Sequence, residues 1–508
     1  MRRRCGAQGF TYVYTISSLS APRLLALHQP QRICKSILPL ISSVKNPSTN
    51  VLRSNIAAIL SDPTSIIEDL ERRTALGKDE WFAAAVPDIA VAPNTAQEVA
   101  AVLAYANKNK IPVTTRGAGY GYVGGCVPVQ GGILLSTERL NKILEIHSGD
   151  FVAVVQAAVI TAKLQEAVLA QGLFYPPDPA SRDHCSIGGN IATNAGGPRC
   201  LKYGVTRHYV LGLEVALADG SLARIGGRTH KNKTGFDLLG MFVGSEGLLG
   251  VITEATLRLL PTPPARATLS AGFATMQEAA ATVQAIFHAG YLPAAVEVAD
   301  HFTLEAALRN LPHELQTLIP PGQAHLLVEI DGQQESVVSE ALSLKKLLSH
   351  TKALQVEHAT TPETCDRMWN LRRSFSMALR ATGLIKLNED IVVPRSRLSD
   401  LIDFAEKLQT KSGFPIACFG HAGDGNIHVN IMVSQQQQQE EKEIIAQLLD
   451  QLFTQVLDWG GNITGEHGIG LAKLPWWHQA TTSGIRDLHT RLKSALDPHH
   501  ILNPGKFV

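Results

Sequence analysis

Two histidines in the second half of the chain are spaced so that they could bind one metal ion. His421 and His428 flank a Gly- and Asp-rich turn in the segment C-F-G-H-A-G-D-G-N-I-H-V-N, residues 418–430. Neutral imidazoles are common ligands of zinc, manganese and iron, and the turn can bring both rings to one point. Asn430 lies two residues after His428, so on a strand both side chains share a face. A histidine beside such a turn is, taken alone, more often a solvent-facing loop residue than a ligand.

The segment G-E-H-G at residues 465–468 supplies a third ligand. The Glu466 carboxylate would complete a set of two histidines and one carboxylate with open coordination positions, which suits a divalent Zn, Mn or Fe ion. A metal ion lowers the pKa of an alcohol bound to it, as it does for water. His467 is next in sequence, and an imidazole can take a proton at neutral pH. We therefore predict His421, His428 and Glu466 as metal ligands and His467 as a base.

Three glycine-rich segments in the first half could form the wall of a ligand site. Residues 117–125 contain a literal G-x-G-x-x-G, but Pro128 and the glycines at 131–132 exclude the helix that a Rossmann site requires. Their backbone N–H groups can still form an anion-binding nest. Residues 176–197 are rich in Gly, Asn, Ser and Pro and lie between strand-like runs, which favours a ligand wall over a linker. Residues 244–252 form the third segment.

The elements that must position these residues follow from periodicity and capping signals. Residues 95–110 predict an amphipathic helix capped by Asn94 or Thr95, and residues 111–116 predict a strand entering the first glycine segment. Strands dominate residues 133–262, interrupted by one predicted helix near 161–171, and three prolines at 261–264 mark a boundary. No long internal repeat is evident. Beyond the boundary we predict helices near 276–289, 335–350 and 397–410, strands near 325–331 and 386–393, and a solvated loop at 435–439.

Composition excludes several classes of protein. A length of 508 residues allows two to three domains, and a formal net charge of +1 argues against a nucleic-acid binder driven by overall charge. The seven cysteines include no C-x-x-C pair, which indicates a reducing compartment. The sequence contains no apolar run long enough for a spanning helix, so any membrane contact would be peripheral.

The N-terminal segment is unlike the rest of the chain. Its first 61 residues contain no Asp or Glu but several Arg and many Ser. Such a leader over residues 1–60 is typical of an organelle transit peptide, and equally of a disordered extension or of a start codon placed too far upstream in a bacterial gene. We expect the bacterial cytoplasm or the inner face of the membrane, with the mitochondrion as the alternative.

Taken together and in order, the motifs over about residues 60–508 resemble a known flavoprotein family. R-G-A-G-x-G-x-x-G-G, P-P-D-P…C-S-I-G-G-N-I-A-T-N-A-G-G…K-Y-G and F-V-G-S-E-G-L-L-G-V-I-T are similar to the FAD-binding domain of the vanillyl-alcohol-oxidase/p-cresol-methylhydroxylase flavoproteins. The later G-H-A-G-D-G-N-I-H-V-N, G-E-H-G-I-G and L-N-P-G-K resemble one branch of it. That branch contains FAD-dependent D-lactate dehydrogenases, the glycolate oxidase flavoprotein subunit and D-2-hydroxyglutarate dehydrogenase.

The resemblance implies an α+β fold and bound FAD. A two-subdomain FAD-binding domain of p-cresol-methylhydroxylase type would span residues 61–262, a ferredoxin-like substrate and metal cap 263–480, and a segment returning to the FAD domain 481–508. Relatives usually carry a small hydroxyl residue where this chain has Tyr120. The implied FAD contacts are Arg116, Gly117, Ala118, Gly119, Tyr120, Gly121, Gly124, Gly125, Pro177, Asp178, Ser186, Gly188, Gly189, Asn190, Thr193, Asn194, Gly196, Gly197, Tyr203, Gly204, Glu246, Gly247, Gly250, Val251, Ile252 and Asn503.

The resemblance also implies a reaction and a substrate site. Arg binds carboxylates bidentately, so Arg372 of the W-x-x-R segment is the predicted anchor of the substrate carboxylate, with Lys386 and Asn430 beside it. An Arg pair on a helix is otherwise usually a solvated face. Residues 388–390 depart from the polar residues of several relatives and were expected to alter the substrate pocket.

The implied reaction is oxidation of a D-2-hydroxy acid to the 2-oxo acid, with D-lactate as the first choice of substrate. Electrons would pass to a cytochrome, a quinone or an electron-transfer flavoprotein, and the chain would form a homodimer. The alternatives are a glycolate oxidase flavoprotein subunit, a D-2-hydroxyglutarate dehydrogenase, or a metal-free flavin oxidase that uses oxygen.

Overall fold

The folded part of the chain begins before the expected boundary at residue 61. The computed structural model describes residues 49–508, and the rest of the predicted leader, residues 1–48, lies outside the described residues. Helix α1 (Thr49–Ala57) buries Leu52 and Ile56 completely. These side chains share a core with Val99 and Leu103. The apolar spacing of residues 49–57 therefore predicts folded structure before the first acidic residue.

The first half, residues 49–261, contains mostly short helices and strands. Its further helices are α2 (Leu70–Leu76), α3 (Ala96–Asn109), α4 (Thr161–Leu169), α5 (Ile187–Thr193), α6 (Cys200–Tyr203) and α7 (Leu238–Phe242). Its strands are β1 (Ile66–Ile67), β2 (Ile89–Val91), β3 (Val113–Arg116), β4 (Ile133–Ser136), β5 (Ile143–His147), β6 (Val152–Gln156), β7 (Leu173–Phe174), β8 (Val210–Ala216), β9 (Leu222–Gly226), β10 (Val251–Arg258) and β11 (Leu260–Pro261). Helix α3 is capped by Thr95 rather than Asn94, because the Thr95 hydroxyl accepts from the Glu98 amide at 3.1 Å.

Two separate sheets divide this half into two subdomains. The four-stranded sheet has the order β1-β2-β4-β3, with β2, β4 and β3 parallel and β1 antiparallel to β2. The five-stranded sheet has the order β5-β6-β10-β8-β9 and is antiparallel throughout. Each sheet has a buried apolar core of its own.

The prediction of one helix within residues 133–262 was wrong. Helix α5 begins inside the second glycine segment, where the Ser186 hydroxyl accepts from the Gly189 amide at 3.3 Å, and it ends at Asn194 with φ +51°. Glycines leave such a short helix without an apolar stripe, so only its capping residues mark it in the sequence.

The second half, residues 262–508, contains longer helices around one large sheet. The helices are α8 (Met276–His288), α9 (His301–Asn310), α10 (His313–Gln316), α11 (Gln334–Ser349), α12 (Pro362–Arg380), α13 (Leu398–Ser412), α14 (Gln435–Glu440), α15 (Lys442–Asp458), α16 (Trp477–Ala480) and α17 (Ser483–Leu496). The strands are β12 (Ala265–Phe273), β13 (Ala295–Ala299), β14 (Ala324–Gly332), β15 (Gln355–Ala359), β16 (Ile385–Val392), β17 (Ile416–His421) and β18 (Asn426–Val433). Residues 435–439, expected as a loop, form α14 because Ser434 and Gln437 make a capping box.

The seven-stranded sheet is antiparallel and contains the same arrangement twice. Its order is β15-β12-β14-β13-β17-β18-β16. The first four strands and helices α8 and α11 form a ferredoxin-like β-α-β-β-α-β unit, with α9 and α10 inserted between β13 and β14. The same path is then repeated by β16, α13, β17, β18 and α15, but this repeat has no fourth strand. At that place Asn462 alone bridges Val392, with N–O distances of 2.8 and 3.1 Å.

The C-terminal segment contacts the glycine segments of the first half. The Asn503 side-chain amide donates to the carbonyls of Gly125 at 2.9 Å and Glu246 at 2.8 Å. Among residues 49–508, no helix is both long enough and apolar enough to cross a membrane.

Candidate active site

The three predicted metal ligands converge at one end of the β17–β18 hairpin. His421 ends β17, and His428 lies within β18 opposite Phe419. The 464–470 loop brings the Glu466 Oε1 to 3.6 Å from the Nε2 of His421 and 3.7 Å from the Nε2 of His428. The two histidines are buried, and one donor atom from each of the three residues lies within 4.8 Å of the others. The arrangement could therefore hold one divalent cation.

The protonation states of these groups also suit a cation. Burial lowers the pKa of His428 to about 3, so its imidazole is neutral. Burial raises the pKa of Glu466, but the interactions of its carboxylate with His421 and His428 together outweigh burial and lower the pKa to about 2. Glu466 Oε2 and His428 Nδ1 are buried without hydrogen-bond partners. Buried polar atoms normally have a partner, and the unpartnered carboxylate oxygen of Glu466 beside the ligand set fits a bound metal ion, whereas His428 Nδ1 faces Asp390 Oδ1 at 3.9 Å.

His421 is oriented by a carboxylate behind it. Its Nδ1 lies 2.7 Å from Oε1 of Glu297, a buried residue of β13. Burial lowers the pKa of His421, yet the carboxylates of Glu297 and Glu466 together raise it well above the usual range. A carboxylate on the second ring nitrogen is the usual support of a metal-binding histidine. A cation at Nε2 would replace the proton that these carboxylates favour.

Asp390 fixes the loop that carries Glu466, and the sequence did not reveal this role. Its Oδ2 accepts from the amides of Gly465 at 2.8 Å, Glu466 at 2.8 Å and His467 at 2.9 Å, and from the Thr464 hydroxyl at 3.0 Å. Burial raises the pKa of Asp390, but His467 and His428 and these donors hold it far below its usual range. Asp390 was expected to shape the substrate pocket; instead it anchors the loop. An Asp inside an apolar strand was the available signal, because a buried carboxylate requires several partners.

The predicted base lies in a column of rings. The His467 ring stacks on His428 with a centroid distance of 5.6 Å and on Tyr122 with 5.1 Å. Its Nε2 is 4.0 Å from Glu466 Oε1. The Tyr122 hydroxyl accepts from Arg380 Nη2 at 3.2 Å. Tyr122, in the first glycine segment, therefore holds one face of His467 and was missed from the sequence.

A cavity lined in part by Glu466 and His467 lies at the centre of the site and is called the central cavity. Of the two adjacent arginines, Arg373 rather than Arg372 lines it. Arg372 is buried, and its Nε and Nη2 lie 2.7 and 2.5 Å from Oε2 of Glu297, so it supports the carboxylate behind His421. Arg373 lines the cavity together with Ser376 and Arg380 of the same helix face. The choice of Arg372 as the carboxylate anchor does not match this placement. Adjacent helical residues point in directions about 100° apart, which the sequence did not resolve.

The other predicted substrate residues, Lys386 and Asn430, lie behind the residues that line the cavity. Lys386 Nζ donates to Ser376 Oγ at 2.8 Å, and burial lowers the pKa of Lys386 to about 7. The Asn430 amide donates to the carbonyls of Ala417 at 2.9 Å and His428 at 3.0 Å, and its Oδ1 is buried without a partner. Lys386 thus reaches the cavity through Ser376, and Asn430 supports the β17–β18 hairpin.

The central cavity has a volume of about 670 Å³ and is lined by all three glycine segments, with Glu466 and His467 on its wall as well. The wall fits a cofactor that binds to backbone: a Cβ on Gly247 would meet no protein atom closer than 3.9 Å, and Thr115 Oγ1, also on the wall, is buried without a partner. The predicted FAD contacts on the cavity wall are Gly117, Ala118, Gly119, Tyr120, Gly121, Gly125, Ser186, Gly188, Gly189, Asn190, Thr193, Gly196, Glu246, Gly247, Gly250 and Ile252.

Several predicted FAD contacts instead hold the structure together. Arg116 Nη1 donates to the Leu76 carbonyl at 2.9 Å. Asp178 pairs with Arg199 at 3.2 Å, and the Tyr203 hydroxyl donates to Asp331 of β14 at 2.7 Å. The predicted contacts that lie off the cavity wall are Arg116, Gly124, Pro177, Asp178, Asn194, Gly197, Tyr203, Gly204, Val251 and Asn503.

Tyr120 is on the cavity wall, but its ring does not occupy the place of a small hydroxyl residue. It stacks on His184 of the second glycine segment with a centroid distance of 4.8 Å and an interplanar angle of 10°. The two loops are thereby joined across the cavity.

Comparison with known proteins agrees with this architecture. Residues 87–226 match the family described as "FAD binding domain", and residues 262–507 match "FAD linked oxidases, C-terminal domain". The glycolate oxidase subunit GlcD of Bacillus subtilis is 39% identical over 425 residues, covering 83% of this chain and 89% of the relative. The chain belongs to the FAD-linked oxidase family. Another member, the D-lactate dehydrogenase of Archaeoglobus fulgidus, is 37% identical, covering 83% of this chain and 91% of the relative.

Two solved structures of other proteins have the same fold as this FAD-linked oxidase. p-Cresol methylhydroxylase with substrate bound superposes with a TM-score of 0.74 at 20% identity, covering 92% of this chain and 98% of that one. The 4-ethylphenol oxidase of Gulosibacter chungangensis gives a TM-score of 0.74 at 19% identity, with the same coverage. The predicted fold class and the predicted FAD cofactor are confirmed.

Proposed function

We propose that this FAD-linked oxidoreductase converts a D-2-hydroxy acid to the 2-oxo acid, with D-lactate as the first choice and glycolate as the second. One observation carries the proposal. The Glu466 carboxylate, central to the candidate metal site, and His467 line the same cavity as the three glycine segments. A hydroxy acid in that cavity would meet a base and a hydride acceptor together. The names of the relatives, D-lactate dehydrogenase and glycolate oxidase subunit, support the same class of substrate.

The substrate would be oriented by charge. Arg373 and Arg380 lie seven residues apart on α12, so two guanidinium groups face the cavity about two turns apart. A guanidinium can hold a carboxylate by two parallel hydrogen bonds. We assign the substrate carboxylate to Arg373, because Arg380 is engaged by Tyr122 at 3.2 Å and by Glu80 at 3.7 Å.

The proton would be handled by His467. Its ring stacks on both His428 and Tyr122, which restricts its rotation, and the residue lines the cavity. His467 takes the hydroxyl proton of the substrate, and oriented general bases of this kind typically contribute about 10²- to 10⁴-fold in rate. Asp390 stabilises the imidazolium that results, since its Oδ2 lies 3.9 Å from His467 Nδ1. FAD, when bound, would supply the acceptor for the hydride of the α-carbon, and a divalent cation, which His421, His428 and Glu466 would hold, would supply polarisation of the hydroxyl.

A metal-dependent reaction is favoured over the metal-free oxidase alternative by the convergence of His421 Nε2 and His428 Nε2 on Glu466, whose Oε2 is buried without a partner. We propose that the reduced flavin passes its electrons to a cytochrome, a quinone or an electron-transfer flavoprotein rather than to oxygen.

The test is a substrate panel with the purified protein and an artificial dye acceptor. D-lactate, glycolate and D-2-hydroxyglutarate are the candidates, and L-lactate is the matched control for stereochemistry. We expect turnover of D-lactate, loss of turnover on chelation, and recovery when a divalent metal is restored. Inactivity toward all three acids would contradict the proposed substrate class, whereas full turnover after exhaustive chelation would contradict only the metal.

A further inference from the structure

We infer that Glu246 is a positioning residue that fixes the 464–470 loop, and with it Glu466 and His467, against the FAD-binding half. Glu246 belongs to the third glycine segment. Its Oε1 accepts from the Ile469 amide at 2.7 Å, and its Oε2 accepts from the Gly470 amide at 2.8 Å. Hydrogen bonds to an ionised carboxylate are about twice as strong as neutral ones.

The backbone of Glu246 is itself held in place. Its φ is +48°, an uncommon value for a residue with a side chain. Its amide donates to the Ala192 carbonyl at 2.8 Å, and its carbonyl accepts from the Asn503 side chain at 2.8 Å. Such a conformation persists where the surroundings fix it, so the carboxylate projects from a rigid point.

The loop leaves space for this carboxylate. A Cβ on Gly468 would lie 2.7 Å from Glu246 Oε1, and Gly468 has φ +88°, which disfavours a side chain there in any case. The Gly468 amide donates to Thr464 Oγ1 at 3.0 Å, so the loop is also braced internally. Glycine at this position lets the carboxylate reach the two amides beyond it.

The loop is thus anchored by one carboxylate from each half of the molecule. Asp390 of β16 holds the amides of residues 465–467, and Glu246 holds those of 469 and 470. Glu466 and His467 lie between the two anchors. Asp390 fixes the loop only to the second half, so the side chain of Glu246 ties the loop backbone to the FAD-binding half, together with the stack of Tyr122 on His467 and the bond from the Leu471 amide to the Val123 carbonyl at 2.7 Å.

This role differs from the FAD contact expected from the sequence. Glu246 lines the cavity, but both of its side-chain oxygens are used by loop amides. A carboxylate has no donor to offer a pyrophosphate and would repel its charge. Contact with FAD at this position is left to the backbone, and the side chain acts on the loop.

The test compares Glu246→Gln and Glu246→Ala with Glu254→Gln, a control from β10 whose carboxylate pairs with the exposed Arg224. Hydrogen exchange of the peptide covering residues 464–471 is measured in FAD-saturated protein, together with the FAD dissociation constant. We expect exchange to rise about tenfold in Glu246→Gln and further in Glu246→Ala, because each lost charged hydrogen bond is worth about one factor of ten or more. FAD affinity should stay within about twofold of wild type, and the Glu254→Gln protein should match wild type in both measurements.

Turnover separates positioning from simple stabilisation and rests on the proposed function. With D-lactate and a dye acceptor, we expect kcat to fall about tenfold in Glu246→Gln with little change in KM, since the substrate anchor on α12 is untouched. Gly468→Ala should reproduce the faster exchange from the loop side. Unchanged exchange of the 464–471 peptide, or a large loss of FAD affinity with normal kcat at saturating FAD, would overturn the proposal. Inactivity of wild type toward D-lactate would contradict only the proposed substrate, because exchange and FAD affinity are read without turnover.

Discussion

The two walls of the central cavity differ in the groups that form them, main chain on one wall and side chains on the other. The FAD-binding wall is mainly backbone, with three glycine-rich segments and small side chains such as Ala118 and Ser186. The other wall carries charged and aromatic side chains, among them Arg373, Glu466 and His467. Buried carboxylates support it from behind: Asp390 and Glu246 hold the 464–470 loop, and Glu297 holds the predicted metal ligand His421. Backbone can be supplied by almost any residue that fits, whereas a carboxylate or an imidazole cannot be replaced. Side-chain substitutions should therefore be far more damaging on the second wall.

The largest effect is expected from His421→Ala. Loss of one imidazole leaves His428 and Glu466, which is too few ligands for a tightly held divalent ion. Bound metal should disappear and turnover should fall more than about hundredfold, because even the partners of metal ligands are worth about 10- to 100-fold. Metal analysis and steady-state kinetics measure both effects, and the flavin absorbance spectrum reports whether FAD is retained. Retention of both FAD and full turnover would show that the assigned metal role is wrong.

Asp390→Asn should come next. One carboxylate oxygen accepts four hydrogen bonds from the 464–470 loop, and an amide there carries no negative charge and offers one acceptor oxygen in place of two. We expect kcat to fall about hundredfold and the melting temperature to fall by several degrees. Glu389→Gln is the neighbouring control, since Glu389 pairs with Lys473 rather than with the loop. Equal kcat in Asp390→Asn and wild type would remove Asp390 from the support of the site.

Arg373→Ala and Arg372→Ala should change different properties, KM in the first variant and kcat with metal content in the second. Removing Arg373 should raise KM for the hydroxy acid, with a loss in kcat/KM of about 10- to 100-fold. Removing Arg372 leaves Glu297 without its buried cation, which should weaken metal binding and lower kcat instead. The comparison of KM, kcat and metal content for the two variants decides between the anchor predicted from the sequence and the one that faces the cavity. A raised KM in Arg372→Ala alone would restore the sequence-based choice.

The smallest effect is expected on the backbone wall. Tyr120→Ser removes the stack with His184 and should speed FAD dissociation by about two- to tenfold, because such ring pairs are worth about 0.5–1.5 kcal/mol. Tyr120→Phe keeps the stack and should release FAD at the wild-type rate. Flavin fluorescence during dilution measures both rates. A Tyr120→Ser effect as large as that of His421→Ala on turnover would invalidate the contrast between the walls.

The sequence predicted the residue types that form the two walls, but it did not predict the contacts that support them, and the reason is physical. Glycine motifs and ligand types are local properties, so the cofactor segments, the ligand set and helices such as α3 and α8 could be named from residue order. Supporting contacts join distant positions: Glu297 lies 124 residues from His421, and Glu246 lies 223 from Ile469. No spacing rule reports such pairs. The choice between Arg372 and Arg373 also depended on how α12 is rotated about its axis, which packing decides.

The contacts of Asn503 have a consequence for how the protein matures. Its backbone amide donates to Val113 at 2.7 Å, and its side chain joins two of the glycine segments. These segments lie in the part of the chain that leaves the ribosome first, and Asn503 is five residues from its end. During synthesis the cofactor wall must wait for the last residues before it can close. The contact between these two glycine segments through Asn503 therefore forms only after residue 503 has been synthesised.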